Sequence, residues 1–268
     1  MKSKDLKLVV QGKYGEIARQ SLVNEKSSCC GTSSCCGELE FSMIGDEYDG
    51  IEGHHPDADM GLGCGLPTQY AAIREGDSVL DLGSGAGNDC FVARAIVGDK
   101  GKVTGLDFVE AMITKARLNN QKVGYTNVEF IRGDIESMPF RENEFDVIVS
   151  NCVLNLVPDK TKAFSEIMRV LKLGGHFCVS DVVIKGQLPT KLKEDAVMYA
   201  GCVAGALDIN EYLAIIEKQG FKEITIHRQK LISIPEEILV KYLTEEEVLN
   251  FYKSETGIFG ITVSAKKI

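Results

Sequence analysis

Along most of the chain, short apolar runs alternate with longer segments in which apolar residues recur every three or four positions. The runs at 77–80, 102–107, 127–131, 145–150 and 176–181 are bounded by Gly, Asn or acidic residues and are too short for buried helices, so they predict strands. The segments at 88–97, 109–121 and 160–171 carry helical periodicity between them. This alternation predicts an α/β domain on a parallel sheet. Further on, 192–205 reads as a helix, and a second helix capped by Asp208 or Asn210 runs to Gln219. Strands follow at 221–227 and 259–265, separated by an acidic, amphipathic stretch at 235–254 that predicts a helical insertion. At the other end, Leu6, Val9, Val10, Tyr14, Ile17, Ala18 and Leu22 form one face of a helix over 3–23, interrupted by Gly12 and Gly15. That helix is expected to pack on the domain and to be able to close over a ligand. A short helix at 68–74 leads into the first strand, and no internal repeat is found. The boundaries expected are 1–65 for the N-terminal helix and loop, 66–230 for the α/β domain, and 231–268 for the insertion and closing strand.

The first strand runs into Leu80-Asp81-Leu82-Gly83-Ser84-Gly85-Ala86-Gly87. Glycines let the backbone turn sharply and approach a ligand closely, and Asn88 and Asp89 are candidate N-caps for the helix that follows. A dinucleotide loop reads G-x-G-x-x-G and cradles a pyrophosphate. Here the pattern is D-x-G-x-G-x-G, and the acid at Asp81 is a poor neighbour for a phosphate. The stretch resembles motif I of the class I S-adenosylmethionine-dependent methyltransferases, whose cofactor carries no phosphate. The resemblance implies a Rossmann-like class I methyltransferase sheet, with the cofactor against Asp81, Gly83, Ser84 and Gly85. The second strand ends in Asp107, about 20 residues past the glycines, where ribose hydroxyls are held in such folds. In the resembled family the acid after the third strand and its apolar neighbour contact the adenine, which implies those roles for Asp134 and Ile135. Asn151, at the end of the fourth strand, completes the expected cofactor set.

Composition narrows the setting. The chain has 268 residues, 44% of them apolar and 26% charged, with a net charge of −9. That charge argues against nucleic acid or an anionic membrane as partner, and no stretch approaches the ~20 apolar residues of a membrane span. With no apolar leader core in the first residues, the expected location is the cytoplasm. The acidic surface suggests a monomer. Between 45 and 59 an acidic, His-bearing stretch invites a metal, but without regular ligand spacing it reads as a solvated loop.

Nine cysteines change the picture, since an odd count in such a chain is not a disulfide framework. Cys29-Cys30 and Cys35-Cys36 lie in a Ser/Gly-rich stretch expected to be a loop. Neighbouring Cα atoms lie about 3.8 Å apart, too close for an ordinary disulfide, so each thiol pairs with a distant partner or helps hold a thiophilic ion. The spacing is not that of common zinc modules. Cys90, within a helix, and Cys178, within a core strand, read as small buried hydrophobes. Cys64, Cys152 and Cys202 instead sit at segment ends in Gly- or Asn-marked contexts. Cys152 follows the fourth strand directly, at the sheet edge where a sulfonium is expected, and the other two can converge on it. Three thiolates suit a soft, trigonal-pyramidal centre such as As(III), whose lone pair can accept a methyl group without a general base.

Gly61-Leu62-Gly63-Cys64-Gly65, the Asp81–Gly85 stretch, the segment from Ser150 through Cys152 to Lys160, and Tyr199-Ala200-Gly201-Cys202 together resemble arsenite methyltransferases over roughly residues 60–230. The resemblance implies transfer of the methyl group of S-adenosylmethionine to arsenite or its thiol conjugates. It also implies As(III) ligation by Cys64, Cys152 and Cys202, and methylated and dimethylated products. A further N-terminal cysteine, Cys35 or Cys36, would take part in disulfide formation that reduces the As(V) product, with thioredoxin or glutathione as reductant. Two other readings stand beside it: a methyltransferase of a small organic acceptor such as a quinone, which would need a polar base near the sulfonium, and a thiol-based metalloid-binding protein.

Overall fold

A computed structural model of the chain describes residues 3–23, 48–186, 206–233, 236, 239–240, 243–254 and 256–268. Five parallel strands, β1 (Ser78–Leu82), β2 (Lys102–Asp107), β3 (Val128–Arg132), β4 (Phe145–Asn151) and β5 (Leu171–Lys185), form its centre. They lie in the order β3-β2-β1-β4-β5, with Leu80 flanked by Thr104 of β2 and Ile148 of β4. The sheet continues through β7 (Gly257–Lys266), antiparallel to β5, to the edge strand β6 (Lys222–Ile232). The closing strand therefore inserts inside the sheet, and β6 runs across residue 230. The Rossmann-like class I methyltransferase sheet expected from the sequence is present.

Helices cover both faces: α2 (Pro67–Tyr70), α3 (Asn88–Val97), α4 (Glu110–Val123), α5 (Lys160–Val170) and α6 (Ile209–Lys218), with α1 (Ser3–Val23) and α7 (Glu245–Lys253) outside them. Parity along the strands assigns each side chain to a face. Leu80, Leu82, Ile148 and Phe177 pack under α5 and α6 with Phe164, Ile167, Tyr212 and Ile216. Val79, Val147 and Val149 point the other way, toward Phe91 of α3 and Ile113 of α4. Both faces of β1 are covered, which is why it reads as an apolar run rather than an alternating one.

Local chemistry explains most element ends. The Asp208 side chain caps α6 by accepting from the Asn210 N–H. A capping box between Thr244 and Glu247 starts α7, and the helical insertion expected at 235–254 is seen in Glu245–Lys253 and in the described residues 236, 239 and 240 before it. Three expectations need correction. Helix α3 is preceded by Gly87 in the left-handed region (φ 101°), not capped by Asn88 or Asp89, which lie in its first turn and turn to other work. The helix expected at 68–74 stops at Tyr70. The fifth strand starts at Leu171 and absorbs Gly174-Gly175 in a register shift, where those glycines were expected to separate helix from strand. The helix expected at 192–205 lies outside the described residues, as does the Cys-rich stretch 29–36.

Phe177 anchors the α5/α6 side. It is fully buried, edge-on to Phe221 at 4.8 Å and tilted against Phe164 at 5.6 Å. Phe177→Ala is expected to cost about 3–5 kcal/mol of unfolding free energy, as large-to-small core changes do; urea denaturation reads the loss, and a cost below about 1 kcal/mol would contradict this packing.

Candidate functional site

Above the C-terminal ends of β1, β2 and β4 lies an open cavity whose empty space, with the adjoining open solvent included, is about 1160 Å³. Asp81, Gly83, Ser84 and Gly85 of the glycine loop line it, and so do Asp107, Asp134, Ile135 and Asn151. The loop is tied down by its backbone: the Gly83 and Ser84 N–H groups both donate to Leu106 O, at 2.7 and 3.0 Å. Asp107 is held by two backbone donors, Gly85 N–H to Oδ2 at 3.0 Å and Val109 N–H to Oδ1 at 2.8 Å. Ser84 Oγ is buried and, among the described residues, has no hydrogen-bond partner. At Gly85 an added Cβ would meet nothing within 4 Å, so the loop leaves open space there.

Helix α1 forms one wall through Lys7, Val10 and Tyr14. It is seated on α4 by Ala18, Val109 and Met112. Lys7 Nζ pairs with Asp134 Oδ2 at 2.6 Å and also with Glu136. Sequence periodicity gave the helix; nothing local signalled that Lys7 reaches a carboxylate 127 residues away.

The cavity floor is acidic and poorly solvated. Burial raises the Asp81 carboxyl well above its ordinary value, the nearby Asp89 charge adds to the shift, and the Cys90 thiol, donating to Oδ2 at 3.2 Å, opposes it. Burial raises Asp89 to about 6 against the hydrogen bonds from Tyr48 and Asn151. Asp107 also stands at about 6, raised by burial and opposed by its backbone donors. Such a floor suits a ligand bearing cationic groups and hydroxyl donors, which relieve the cost of ionised buried carboxylates.

Of the three cysteines expected to act together, Cys152 lines the cavity and Cys64 is tied through its backbone to Asn151. Cys152 directly follows β4 with φ 60°, is buried, and donates its N–H to Ser180 O at 2.8 Å. Half-buried Cys64 donates its N–H to Asn151 Oδ1 at 3.0 Å. Asn151 Nδ2 donates to Gly65 O at 2.8 Å, and a Cβ at Gly65 would lie 2.7 Å from Ser180 Cβ, so only glycine lets this loop close on the strand ends. Behind the thiols, Tyr212 OH donates to buried Asp181 Oδ2 at 3.0 Å, and burial raises that carboxyl to about 7. Cys202, Cys35 and Cys36 lie outside the described residues. Cys90 and Cys178 are fully buried, and burial pushes the Cys178 thiol up to about 12.

Tyr48 and Asp89 were missed by sequence reasoning. The described end of the acidic stretch is solvated only in part: Asp49, Glu52 and Asp57 are exposed, whereas Tyr48 and Ala58 are buried, His54 stacks on Tyr48 at 5.8 Å and approaches Asp59 at 3.2 Å, and His55 is edge-on to Phe91 at 6.2 Å. Its acids and polar side chains hid a packing surface that complements α3. Among the described residues no cluster of three or more His, Cys, Asp or Glu side chains could hold a metal ion.

Residues 73–220 match the family described as a methyltransferase domain. The chain is 38% identical over 244 residues to an arsenite methyltransferase of Halobacterium salinarum, covering 84% of this chain and 62% of that protein. It is 33% identical over 257 residues to an arsenite methyltransferase of Aquipseudomonas alcaligenes, covering 93% of this chain and 71% of that protein. In structure it resembles the arsenic(III) S-adenosylmethionine methyltransferase of Chlamydomonas reinhardtii, with TM-score 0.64 and 35% identity over 77% of this chain and 68% of the other. The chain thus spans roughly two thirds of the length of these proteins.

The raised carboxylates set a pH dependence. Unfolded, a carboxyl titrates near 4, so between about pH 4 and 6 the folded ligand-free protein holds protons on Asp89 and Asp107 that the unfolded chain has released. Their contribution is full below pH 4 and is lost as pH rises through about 6. Unfolding free energy is expected to fall between about pH 4 and 6, and Asp89→Asn to remove about 1–3 kcal/mol of that fall. Denaturant titrations across the window check this; an unchanged slope in Asp89→Asn would contradict the assignment.

Proposed function

The chain belongs to the arsenite methyltransferase family, and we propose that it moves the methyl group of S-adenosylmethionine onto thiolate-bound As(III). The observation that carries this reading is that Cys152 lines the acidic cavity while its neighbour Asn151, also in the lining, accepts the Cys64 N–H. The cavity suits the cofactor: Asp107 accepts the ribose hydroxyls, Asp134 and Ile135 take the adenine, and the unpartnered Ser84 Oγ and the open space at Gly85 leave room against the loop. Asp81 and Gly83 complete that floor, with Asn151 on the side shared with the thiols. Bound there, S-adenosylmethionine supplies an electrophilic methyl group on a positively charged sulfur.

The residues' tasks follow from the chemistry of arsenic. Cys64, Cys152 and Cys202 hold As(III) as a trithiolate whose lone pair is the nucleophile. No proton leaves that nucleophile, so the site needs no general base. What the chain supplies is orientation and exclusion of water, and well-oriented reactions gain about 7–11 kcal/mol from such positioning. Helix α1 and, from the 61–65 loop, Leu62 and Gly63 line the cavity. Cys35 or Cys36 serves the disulfide step that returns the product to As(III), with thioredoxin or glutathione as reductant. The net charge of −9, and the absence among the described residues of a helix long and apolar enough to cross a membrane, fit a cytoplasmic protein. We take it to act as a monomer on arsenite and its thiol conjugates.

The test is arsenite-dependent methyl transfer from labelled S-adenosylmethionine in the presence of thiol, with arsenicals separated by chromatography. Wild type is expected to give labelled methylated and dimethylated arsenicals. Cys64→Ser, Cys152→Ser and Cys202→Ser should each lower turnover about 100-fold or more while the fold is kept. Cofactor binding without any labelled arsenical would overturn the reading and favour an organic acceptor. Wild-type turnover by Cys152→Ser would remove that thiol from the mechanism.

A further inference from the structure

Asn151 lines the cavity, yet the hydrogen-bonding atoms of its carboxamide are engaged within the protein. Oδ1 accepts from Cys64 N–H at 3.0 Å. Nδ2 has two hydrogens and faces three acceptors: Tyr48 OH at 2.8 Å, Gly65 O at 2.8 Å and, more distantly, Asp89 Oδ2 at 3.2 Å. Tyr48 OH in turn donates to both Asp89 oxygens, at 2.8 and 3.0 Å. Apart from the branch to Gly65 O, the donors point one way, from the Cys64 amide through Asn151 and Tyr48 to the Asp89 carboxylate. Hydrogen bonds in series polarise one another, and an ionised acceptor at the end strengthens the chain. The loop lies so close over the amide that a Cβ at Gly63 would stand 2.7 Å from Asn151 Nδ2. Asp89 belongs to the cavity lining, 62 residues from Asn151 in sequence, and Cys64 lies 87 residues away.

We propose that Asn151 is a positioning residue that couples the two halves of the site, so that a ligand in the acidic cavity fixes the backbone of Cys64 and tightens the hold on arsenic. The inference rests on the reading of the cavity as the methyl-donor site and of Cys64 as an arsenic ligand. A cation in the cavity favours ionised Asp89, ionised Asp89 draws harder on Tyr48 and Asn151, and Asn151 holds the Cys64 N–H. By thermodynamic reciprocity, arsenic on the thiols must strengthen cofactor binding by the same factor.

The experiment is calorimetric binding of phenylarsine oxide, which takes two thiols, with and without saturating S-adenosylmethionine. The full chain would carry Cys29→Ser, Cys30→Ser, Cys35→Ser and Cys36→Ser so that those thiols do not compete. In this background the cofactor is expected to tighten arsenical binding by about fivefold or more, the lower range of measured couplings. Asn151→Asp keeps an acceptor for Cys64 N–H but loses every Nδ2 donor, and should bring the factor to near one. Gly63→Ala, which pushes the loop off an intact Asn151, should do the same with each ligand still binding alone. A purely structural role would weaken both ligands and leave the ratio unchanged. A ratio of one in the parent, with both ligands bound, overturns the coupling alone. A parent ratio retained in Asn151→Asp and Gly63→Ala assigns the coupling elsewhere and overturns the role of Asn151. Failure of the parent to bind either ligand overturns the underlying reading of the site.

Discussion

The direction in which the chain leaves β1 sets the geometry of everything above the sheet. From β1 the order runs outward through β2 and β3 on one side and through β4 and β5 on the other. Where the order reverses, no crossover covers the strand ends, and a crevice opens between β1 and β4. Asp81 and the glycine loop lie on one lip and Asn151 and Cys152 on the other. The pairing that sets this lip-to-lip register is Asp81 opposite Val149 and Leu82 opposite Ser150. A ligand in the crevice must touch both lips.

Burying carboxylates in that crevice is costly, and the fold answers the cost in different ways at each site. Asp107 is satisfied by backbone donors of the loop and of the turn into α4. Asp81 has a thiol donor, Cys90, so a residue read as a small apolar filler also serves the floor. Asp89 relies on Tyr48 and Asn151. Backbone donors are fixed by strand and loop geometry. Side-chain donors can be gained or lost with the position of a loop, which is why Asp89 and not Asp107 links the cavity to the thiol wall.

The thiol wall depends on close approach. Gly63 and Gly65 lie against Asn151 and Ser180, and Gly260 of β7 passes beneath the Cys64 carbonyl, where a Cβ would stand at 3.3 Å. Ser180 Oγ and Thr262 Oγ1 share a hydrogen bond of 2.9 Å across the β5–β7 pair. The closing strand, which looks remote from the chemistry in sequence, thus supports the shelf on which the 61–65 loop rests.

Local information in the sequence determined the strand–helix alternation, the glycine loop, the acids at successive strand ends, the cap at Asp208 and the place of Cys152 directly after β4. Each of these is expressed within a few residues, through backbone geometry or the period of burial. The same local logic misassigned Asn88 and Asp89 as caps, because a polar residue at a helix start satisfies that pattern whether or not the cavity needs it. It also gave no sign that Tyr48, His55 and Ala58 pack down within an otherwise exposed stretch, since packing against α3 leaves no periodic trace in an irregular loop. Only the tertiary structure decided that Lys7 meets Asp134, that Tyr48 meets Asp89, and that one carboxamide reaches Cys64. These contacts join residues separated by 41 to 127 positions, and their partners are selected by where the sheet order reverses.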